Sequence, residues 1–280
     1  MEIIKAEILG YCFGVRRAVE KAERAISENS DREVYSLGPL IHNRTTLEKL
    51  QASGMKIAAS LDDIPENSAV IIRAHGVPPE VIERLNEKNC QIIDATCPRV
   101  KASQKIAEKN RDNMIVFTGD AEHGEVKGIS GYGGKNFHLI QNISDAENLP
   151  SNKNKTVLFS HTTFSEKEFA LIRDVLSERF ENLEVLNTIC PATRERQDAL
   201  LELCSKVSGV IVIGGKQSAN TIRLFQTAYK NCSKAVHIEN ASEIPEEFFS
   251  MKRIGITAGA STPDEIINEV CEVLNVRSSC

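Results

Sequence analysis

Residues 3–15 read IIKAEILGYCFGV, an apolar run that reaches a cysteine just before an amphipathic helical pattern begins. The same order recurs where residues 91–94 precede Cys97 and where residues 183–186 precede Cys190. A cysteine on a strand-to-helix turn has its sulfur at a helix N-terminus, where the helix dipole favours the thiolate. The separations, 97 − 12 = 85 and 190 − 97 = 93 residues, are nearly equal. We therefore predict three similar units that share one soft-metal site.

Composition and charge exclude several classes of protein. The chain has 280 residues and a net charge of −5 without a block of Lys or Arg, which argues against a nucleic-acid partner. Its longest apolar runs have the length of strands, so no membrane association is expected. The first ten residues lack the basic and apolar regions of a signal peptide, and we expect a cytoplasmic protein. Its eight cysteines are then thiols or metal ligands rather than disulfides.

Short β-branched runs alternate with helical periods along the chain, a pattern typical of parallel α/β units. We predict an α/β protein in which three similar small parallel-sheet units pack about a pseudo-threefold axis. The predicted units are residues 13–97, 98–190 and 191–280. Residues 1–12 are expected to complete the third unit, because the first strand precedes the first cysteine.

Polar side chains follow the predicted strands, at the edge where ligands bind in open parallel sheets. Imidazole, hydroxyl and amide groups on glycine-rich helix starts suit a compact anion such as a diphosphate. Residues 214–216 read Gly-Gly-Lys without the spacing of a phosphate-binding P-loop, and no GxGxxG motif occurs in the right context. ATP and NAD are therefore not expected as tightly bound ligands. The candidate groups at the strand ends are His42, His75, His123, Thr162, Ser218, Asn220 and Ser261.

The absence of any CxxC pair makes a structural zinc site a weaker interpretation. A [4Fe–4S] cluster on Cys12, Cys97 and Cys190 would leave one iron without a protein ligand. Such an iron can bind a substrate hydroxyl as a Lewis acid and pass electrons to it. This combination favours reductive removal of a hydroxyl from a small phosphorylated substrate. Glu125, two residues after His123, is the candidate proton donor.

The remaining cysteines and histidines have simpler interpretations. A cysteine within a helical period is usually a small core hydrophobe, and a lone histidine is usually structural. His161 follows a strand, and we expect it to orient its neighbours. The residues given no site role are Cys90, Cys204, Cys232, Cys271, Cys280, His138 and His237.

Nine short motifs, in order from residue 10 to about residue 265, resemble those of the 4-hydroxy-3-methylbut-2-enyl diphosphate reductase family, also called IspH/LytB. Each motif is short, but the ordered set is specific and covers essentially the whole chain. Gly124 departs from the family pattern, which commonly has proline there, and predicts a more mobile loop. The motifs are GYCFGV (10–15), IHNR (41–44), AHGV (74–77), DATCP (94–98), HGEV (123–126), TT (162–163), TIC (188–190), SAN (218–220) and TAGAS (257–261).

The resemblance implies a pseudo-threefold trefoil of three α/β units around a central iron–sulfur cluster. This [4Fe–4S] cluster would be held by Cys12, Cys97 and Cys190, and its open iron would meet the substrate hydroxyl. It implies Glu125 as proton source, with Thr162 in the proton relay. The products would be isopentenyl and dimethylallyl diphosphate, formed in the last step of the non-mevalonate (MEP/DOXP) isoprenoid pathway, with electrons from a ferredoxin or flavodoxin. The implied substrate-binding residues are His42, His75, His123, Thr162, Ser218, Asn220 and Ser261.

Two other functions remain open from the sequence. A non-catalytic iron–sulfur carrier or scaffold would also hold a cluster on the three cysteines. A zinc hydrolase acting on a phosphorylated metabolite would use the same anion-binding residues. Metal analysis and product detection distinguish these alternatives from the reductase.

Overall fold

The computed structural model describes residues 1–150 and 153–277, and its secondary structure alternates strands with helices along that part of the chain. Cys280 lies outside the described residues. The strands are β1 (Glu2–Lys5), β2 (Val34–Leu37), β3 (Met55–Ala58), β4 (Ala69–Ile72), β5 (Gln91–Asp94), β6 (Met114–Thr118), β7 (Phe137–Ile140), β8 (Thr156–Ser160), β9 (Leu183–Val185), β10 (Gly209–Ile213), β11 (Ala235–Ile238) and β12 (Arg253–Ala258). The α-helices are α1 (Phe13–Glu28), α2 (Arg44–Ala52), α3 (Pro79–Glu87), α4 (Pro98–Lys109), α5 (Gly124–Ser130), α6 (Ile143–Glu147), α7 (Glu166–Arg179), α8 (Pro191–Cys204), α9 (Ala219–Asn231) and α10 (Asp264–Arg277).

The strands of the described chain form three four-stranded parallel sheets, which confirms the predicted α/β class. The strand orders are β5–β4–β2–β3, β9–β8–β6–β7 and β1–β12–β10–β11. In the first two sheets, the outer strands β5 and β9 are the last strands before Cys97 and Cys190. Each pairs with the strand that comes before it in the chain, β4 or β8. In the third sheet, β1 from the other end of the chain takes that outer place and pairs with β12, with Glu2 opposite Arg253.

The central strands are buried because helices cover both faces of each parallel sheet. Every residue of β6 (MIVFT), β8 (TVLFS) and β10 (GVIVI) is buried. In β10, Val212 packs with Leu200 of α8 and Leu224 of α9 on one face. Ile211 packs with Val270 of α10 on the opposite face. This alternation explains why near-continuous aliphatic runs form these strands.

The described chain divides into two compact units. The larger unit comprises residues 17–40 and 51–190 and contains the first two sheets. The smaller unit comprises residues 1–16, 41–50 and 191–280 and contains the third sheet. No described helix is both long enough and apolar enough to span a membrane.

Sequence patterns miss or misplace a few elements. The strand β3 is not predicted, because it is a four-residue strand at the edge of its sheet, with Lys56 exposed. The short helices α5 and α6 are also missed. The helix α8 begins at Pro191, directly after Cys190, because proline fits the first turn of a helix.

Candidate active site

The three predicted cysteine ligands occupy the same backbone position in the three sheets. Each cysteine directly precedes a helix: α1, α4 or α8. Each backbone N–H donates to the carbonyl of the second residue past the neighbouring inner strand. These bonds join Cys12 to Ala260 (3.1 Å), Cys97 to Ala74 (2.9 Å) and Cys190 to Thr162 (2.8 Å).

The three thiols differ in environment from the cysteines of the cores. Cys12, Cys97 and Cys190 are partly exposed thiols at helix starts and form no disulfide. By contrast, burial raises the pKa of the Cys204 thiol to about 11 and also raises the pKa of Cys271. Among residues 1–150 and 153–277, no three His, Cys, Asp or Glu side chains converge on the position of a single metal ion.

Side chains just before two of the cysteines shape their turns. The Asp94 carboxylate accepts a hydrogen bond from the Thr96 N–H (2.9 Å), and the Asn187 side chain accepts one from the Ile189 N–H (3.1 Å). Both acceptors stand three residues before their cysteine. Burial raises the pKa of the Asp94 carboxyl, but the hydrogen bonds from Thr96 and Lys101 outweigh it, and the net pKa is lowered. These turns orient the cysteines at the helix starts.

Glu125 and Thr162 form a buried pair in the larger unit. Glu125 lies in the first turn of α5 and is 4% exposed, and Thr162 follows β8. The Thr162 hydroxyl lies 2.6 Å from Oε1 of Glu125, and the Thr162 N–H donates to Oε2 at 2.7 Å. Both carboxyl oxygens are therefore held by one residue whose carbonyl also binds the Cys190 N–H.

The backbone of Glu125 also fixes the tautomer of His123. His123 caps α5, and its Nδ1 accepts the Glu125 N–H at 3.2 Å. Because Nδ1 is an acceptor, the neutral ring carries its proton on Nε2. The His75 ring lies edge-on to His123, with centroids 5.8 Å apart. A Cβ atom at Gly124 would lie 3.0 Å from His75 Cγ, so glycine at this position permits the close approach of that ring.

His161 is fully buried and packs against the ring of His123. The two rings stack, with centroids 4.3 Å apart. Nδ1 of His161 accepts the Thr163 N–H at 3.2 Å, and Nε2 lies 3.7 Å from an Asp120 carboxylate oxygen. The Thr163 hydroxyl lies 3.2 Å from Nδ1 of His161 and 3.5 Å from Nε2 of His123. His161 therefore contacts both His123 and Thr163.

The smaller unit holds His42 and Ser261 together. The Ser261 hydroxyl donates to the His42 carbonyl at 3.1 Å. A Cβ atom at Gly215 would lie 2.5 Å from the same carbonyl oxygen, so only glycine fits beside this segment. The N–H of Cys12 binds the carbonyl of Ala260, the residue before Ser261. This contact places Cys12 beside the turn that carries Ser261, an anion-binding candidate.

Ser218 and Asn220 lie at the start of α9, also in the smaller unit. Ser218 caps the helix, and its hydroxyl accepts the Thr221 N–H at 3.4 Å. Asn220 is buried, and its amide nitrogen has no hydrogen-bond partner among the described residues. A buried amide donor without a partner favours a bound acceptor in the working protein.

The candidate residues fall at repeated positions within the three sheets. His42, His123 and Ser218 each stand four residues after a glycine that directly follows an inner strand, β2, β6 or β10. The N–H groups of these glycines, Gly38, Gly119 and Gly214, donate to the last residues of β3, β7 and β11. The other inner strands are β4, β8 and β12. The third residues past these strands are His75, Thr163 and Ser261. Thr163 has no role assigned from sequence, although alignment of the three strand ends would have identified it.

The chain is similar to known proteins over nearly its full length. The LytB protein family model matches residues 3–275. A protein of Treponema denticola named 4-hydroxy-3-methylbut-2-enyl diphosphate reductase is 45% identical over 96% of this chain and 98% of its own length. A protein of the same name from Caldanaerobacter subterraneus subsp. tengcongensis is 41% identical over 97% and 96% of the two chains.

Solved structures give the same result. The E-1-hydroxy-2-methyl-but-2-enyl-4-diphosphate reductase from Plasmodium falciparum matches with a TM-score of 0.90 and 28% identity, over 98% of this chain and 87% of its own. A second structure, described as the terminal enzyme of the non-mevalonate pathway, is 36% identical with a TM-score of 0.74, over 99% and 100% of the two chains. The chain thus belongs to the LytB family of 4-hydroxy-3-methylbut-2-enyl diphosphate reductases, which are oxidoreductases.

Proposed function

We propose that this chain reduces 4-hydroxy-3-methylbut-2-enyl diphosphate to isopentenyl and dimethylallyl diphosphate, the last step of the non-mevalonate isoprenoid pathway. The carbon–oxygen bond of the substrate hydroxyl breaks, two electrons and two protons are consumed, and water leaves. The observation that carries the proposal is the repeated backbone position of Cys12, Cys97 and Cys190 in a chain that belongs to this reductase family.

The three cysteines are proposed to hold a [4Fe–4S] cluster. Their chemistry fits, because they are partly exposed thiols at helix N-termini, where thiolate is favoured. When bound, the cluster supplies electrons and one Lewis-acidic iron without a protein ligand. The cysteines buried in the cores, such as Cys204, are poorer ligands because burial disfavours their thiolates.

Glu125 is proposed as the proton donor and Thr162 as its partner in proton transfer. The Thr162 N–H fixes one carboxyl oxygen, while its hydroxyl contacts the other at 2.6 Å. A hydroxyl both donates and accepts, so it can accept a hydrogen bond from the carboxylic acid or donate one to the carboxylate. Thr162 therefore holds Glu125 in place in both protonation states, as a repeated proton transfer requires.

Imidazole, hydroxyl and amide donors are proposed to bind the diphosphate. His123 presents an Nε2–H because its Nδ1 is occupied by the Glu125 N–H. Asn220 offers a buried amide nitrogen without a partner in the described chain, and Ser218 lies at the same helix N-terminus. His42 and Ser261 are joined by a hydrogen bond within one unit, and His75 lies beside His123 in the other.

Electrons are proposed to come from a ferredoxin or flavodoxin in the cytoplasm. The absence of a nucleotide-binding fingerprint from the sequence supports a protein donor over a bound nicotinamide. A small electron carrier must then deliver electrons to the cluster from outside the chain.

The test is anaerobic purification, reconstitution and assay with 4-hydroxy-3-methylbut-2-enyl diphosphate and a chemical reductant. We expect about four irons per chain and formation of both isoprenoid diphosphates. A protein that holds the cluster but forms neither product would be an iron–sulfur carrier. Stoichiometric zinc with release of phosphate would instead support the hydrolase, and either result would reject the proposal.

A further inference from the structure

Arg73 places a guanidinium group at the carboxyl edge of the first sheet. It directly follows β4, and a hydrogen bond between its carbonyl and the Gly76 N–H (3.0 Å) closes a turn that also contains His75. Its side chain lies over the end of β2, since a Cβ atom at Gly38 would be 3.2 Å from Arg73 Nη1. The group therefore lies at the strand ends where ligands bind in parallel sheets.

The positive charge of Arg73 has no counter-charge in the described chain. Nε is buried without a hydrogen-bond partner, and no residue of 1–150 or 153–277 forms an ion pair with the guanidinium. Burial alone lowers the pKa of Arg73, yet an arginine side chain stays protonated in proteins. A half-buried charge without a partner destabilises the ligand-free fold, and a bound anion would offset that cost.

The second sheet has a carboxylate at the equivalent position. His161 follows β8 as Arg73 follows β4, and it lies over Gly119 as Arg73 lies over Gly38. Asp120, the residue after Gly119, faces His161 at 3.7 Å. In the first sheet, Pro39 stands where Asp120 stands in the second. The place of the carboxylate is therefore occupied by a residue that offers no charge.

We propose that Arg73 is an additional anion-binding residue, whose guanidinium binds phosphate oxygens of the diphosphate beside His75. The identity of that ligand rests on the proposed function. The planar fork of an arginine matches two phosphate oxygens at once, which a histidine does not. Arg73 and His75 belong to one four-residue turn, so a single diphosphate can engage both.

The test uses inorganic pyrophosphate as the probe and anaerobically purified full-length protein. We expect Arg73→Met to weaken pyrophosphate binding in calorimetry roughly 10- to 100-fold, as for a lost hydrogen bond to a charged group. Arg73→Lys should lose less affinity, because it keeps the charge but not the fork. Lys135→Gln, which removes an exposed charge, is the control and should bind as wild type does.

Thermal melting separates a binding role from a structural one. Ligand-free Arg73→Met should melt at a higher temperature than wild type, because the unpaired charge is gone. Pro39→Asp, with Arg73 intact, should also raise the melting temperature and weaken pyrophosphate binding, because the new carboxylate competes with the ligand. This second variant keeps the test decisive if Arg73→Met fails to fold.

Unchanged pyrophosphate affinity in Arg73→Met or in Pro39→Asp would overturn the inference. The inference would also be overturned if ligand-free Arg73→Met melts at a lower temperature than wild type and this loss of stability accounts for its loss of affinity. Arg73 would then be a structural residue. If pyrophosphate binding depends on Arg73 but no isoprenoid diphosphate forms, the anion site stands and the proposed reaction fails. If the protein is an active reductase whose pyrophosphate affinity does not depend on Arg73, the proposed reaction stands and the role of Arg73 is rejected.

Discussion

Glu125 is a buried carboxyl group whose two oxygens are both held by Thr162. Most candidate site residues can be found from the sequence by their position just past a predicted strand, because ligands of parallel sheets bind at one edge. The same approach gives no site role to Arg73, although Arg73 is the first residue past β4. An unpaired charge becomes visible only when the surroundings of the side chain are known.

Glu125→Gln should reduce turnover by about 10²- to 10⁴-fold, the usual contribution of a general acid. Glutamine keeps an oxygen for the Thr162 N–H but has no acidic proton, so iron content and substrate affinity should stay near wild type. Steady-state kinetics under anaerobic conditions measure turnover and substrate affinity. The matched control is Glu122→Gln, which alters a 91% exposed carboxylate three residues away and should leave turnover unchanged. Wild-type turnover in Glu125→Gln would remove this residue as the acid.

Cys97→Ser should lose or destabilise the cluster, because serine is a harder and weaker ligand for iron than a thiolate. Iron and sulfide analysis after reconstitution measures the loss. Cys232→Ser is the control, since Cys232 is a partly buried thiol against the Val207 carbonyl with no assigned ligand role. Equal iron content in the two variants would show that Cys97 does not bind the cluster.

At the scale of elements, the segments before the cysteines are as important as the cysteines. Asp94 and Asn187 make the same side-chain turn before Cys97 and Cys190. The strands of the sheet centres are predictable from sequence because their aliphatic runs are continuous. The strand β3 and the helix α5 are not, because a short edge strand and a seven-residue helix carry too little periodicity.

Asp94→Ala should destabilise the turn at Cys97, whereas Asp94→Asn should preserve it, as Asn187 does in the second sheet. The lost hydrogen bond should lower the free energy of unfolding by roughly 0.5–1.5 kcal/mol. Both variants remove the exposed ion pair with Lys101, which contributes little. Chemical denaturation of the two variants side by side measures the difference, and equal stabilities would contradict the role given to this turn.

The pKa of Asp94 also predicts how this turn responds to acid. Because the folded-state pKa is lowered from 3.8, the ionised carboxylate stabilises the fold fully above about that pH. The contribution is then lost as the pH falls through the lower folded-state value. The stability difference between wild type and Asp94→Ala should therefore shrink in strong acid, and denaturation curves at neutral and acid pH would show whether it does.

At the scale of the whole molecule, one strand order is used three times, and β1 supplies the missing outer strand of the third sheet. The sequence predicts this repeat because Cys12, Cys97 and Cys190 each follow an apolar run that forms an outer strand. It does not predict the repeated hydrogen bonds from the cysteine N–H groups, because these depend on atomic positions in the neighbouring strand. We infer that residues 1–12 belong to the same structural unit as residues 191–277.

A circular permutant tests this inference. The chain would begin at Phe13, and residues 1–12 would follow residue 280 through a short flexible linker. We expect it to fold as wild type does, because β1 would pair with β12 as before. A chain without residues 1–12 should lose stability and iron, since it lacks Cys12 and exposes the edge of β12. Loss of folding in the permutant would show that β1 is not an independent outer strand.

The central claim is that three cysteines hold one cluster at which the substrate is reduced. The most direct test is the electron paramagnetic resonance spectrum of the reduced, reconstituted protein before and after addition of 4-hydroxy-3-methylbut-2-enyl diphosphate. We predict an iron–sulfur signal that the substrate changes in proportion to the protein present and that Cys97→Ser lacks. A signal that the substrate leaves unchanged, or one that survives in Cys97→Ser, would contradict the account.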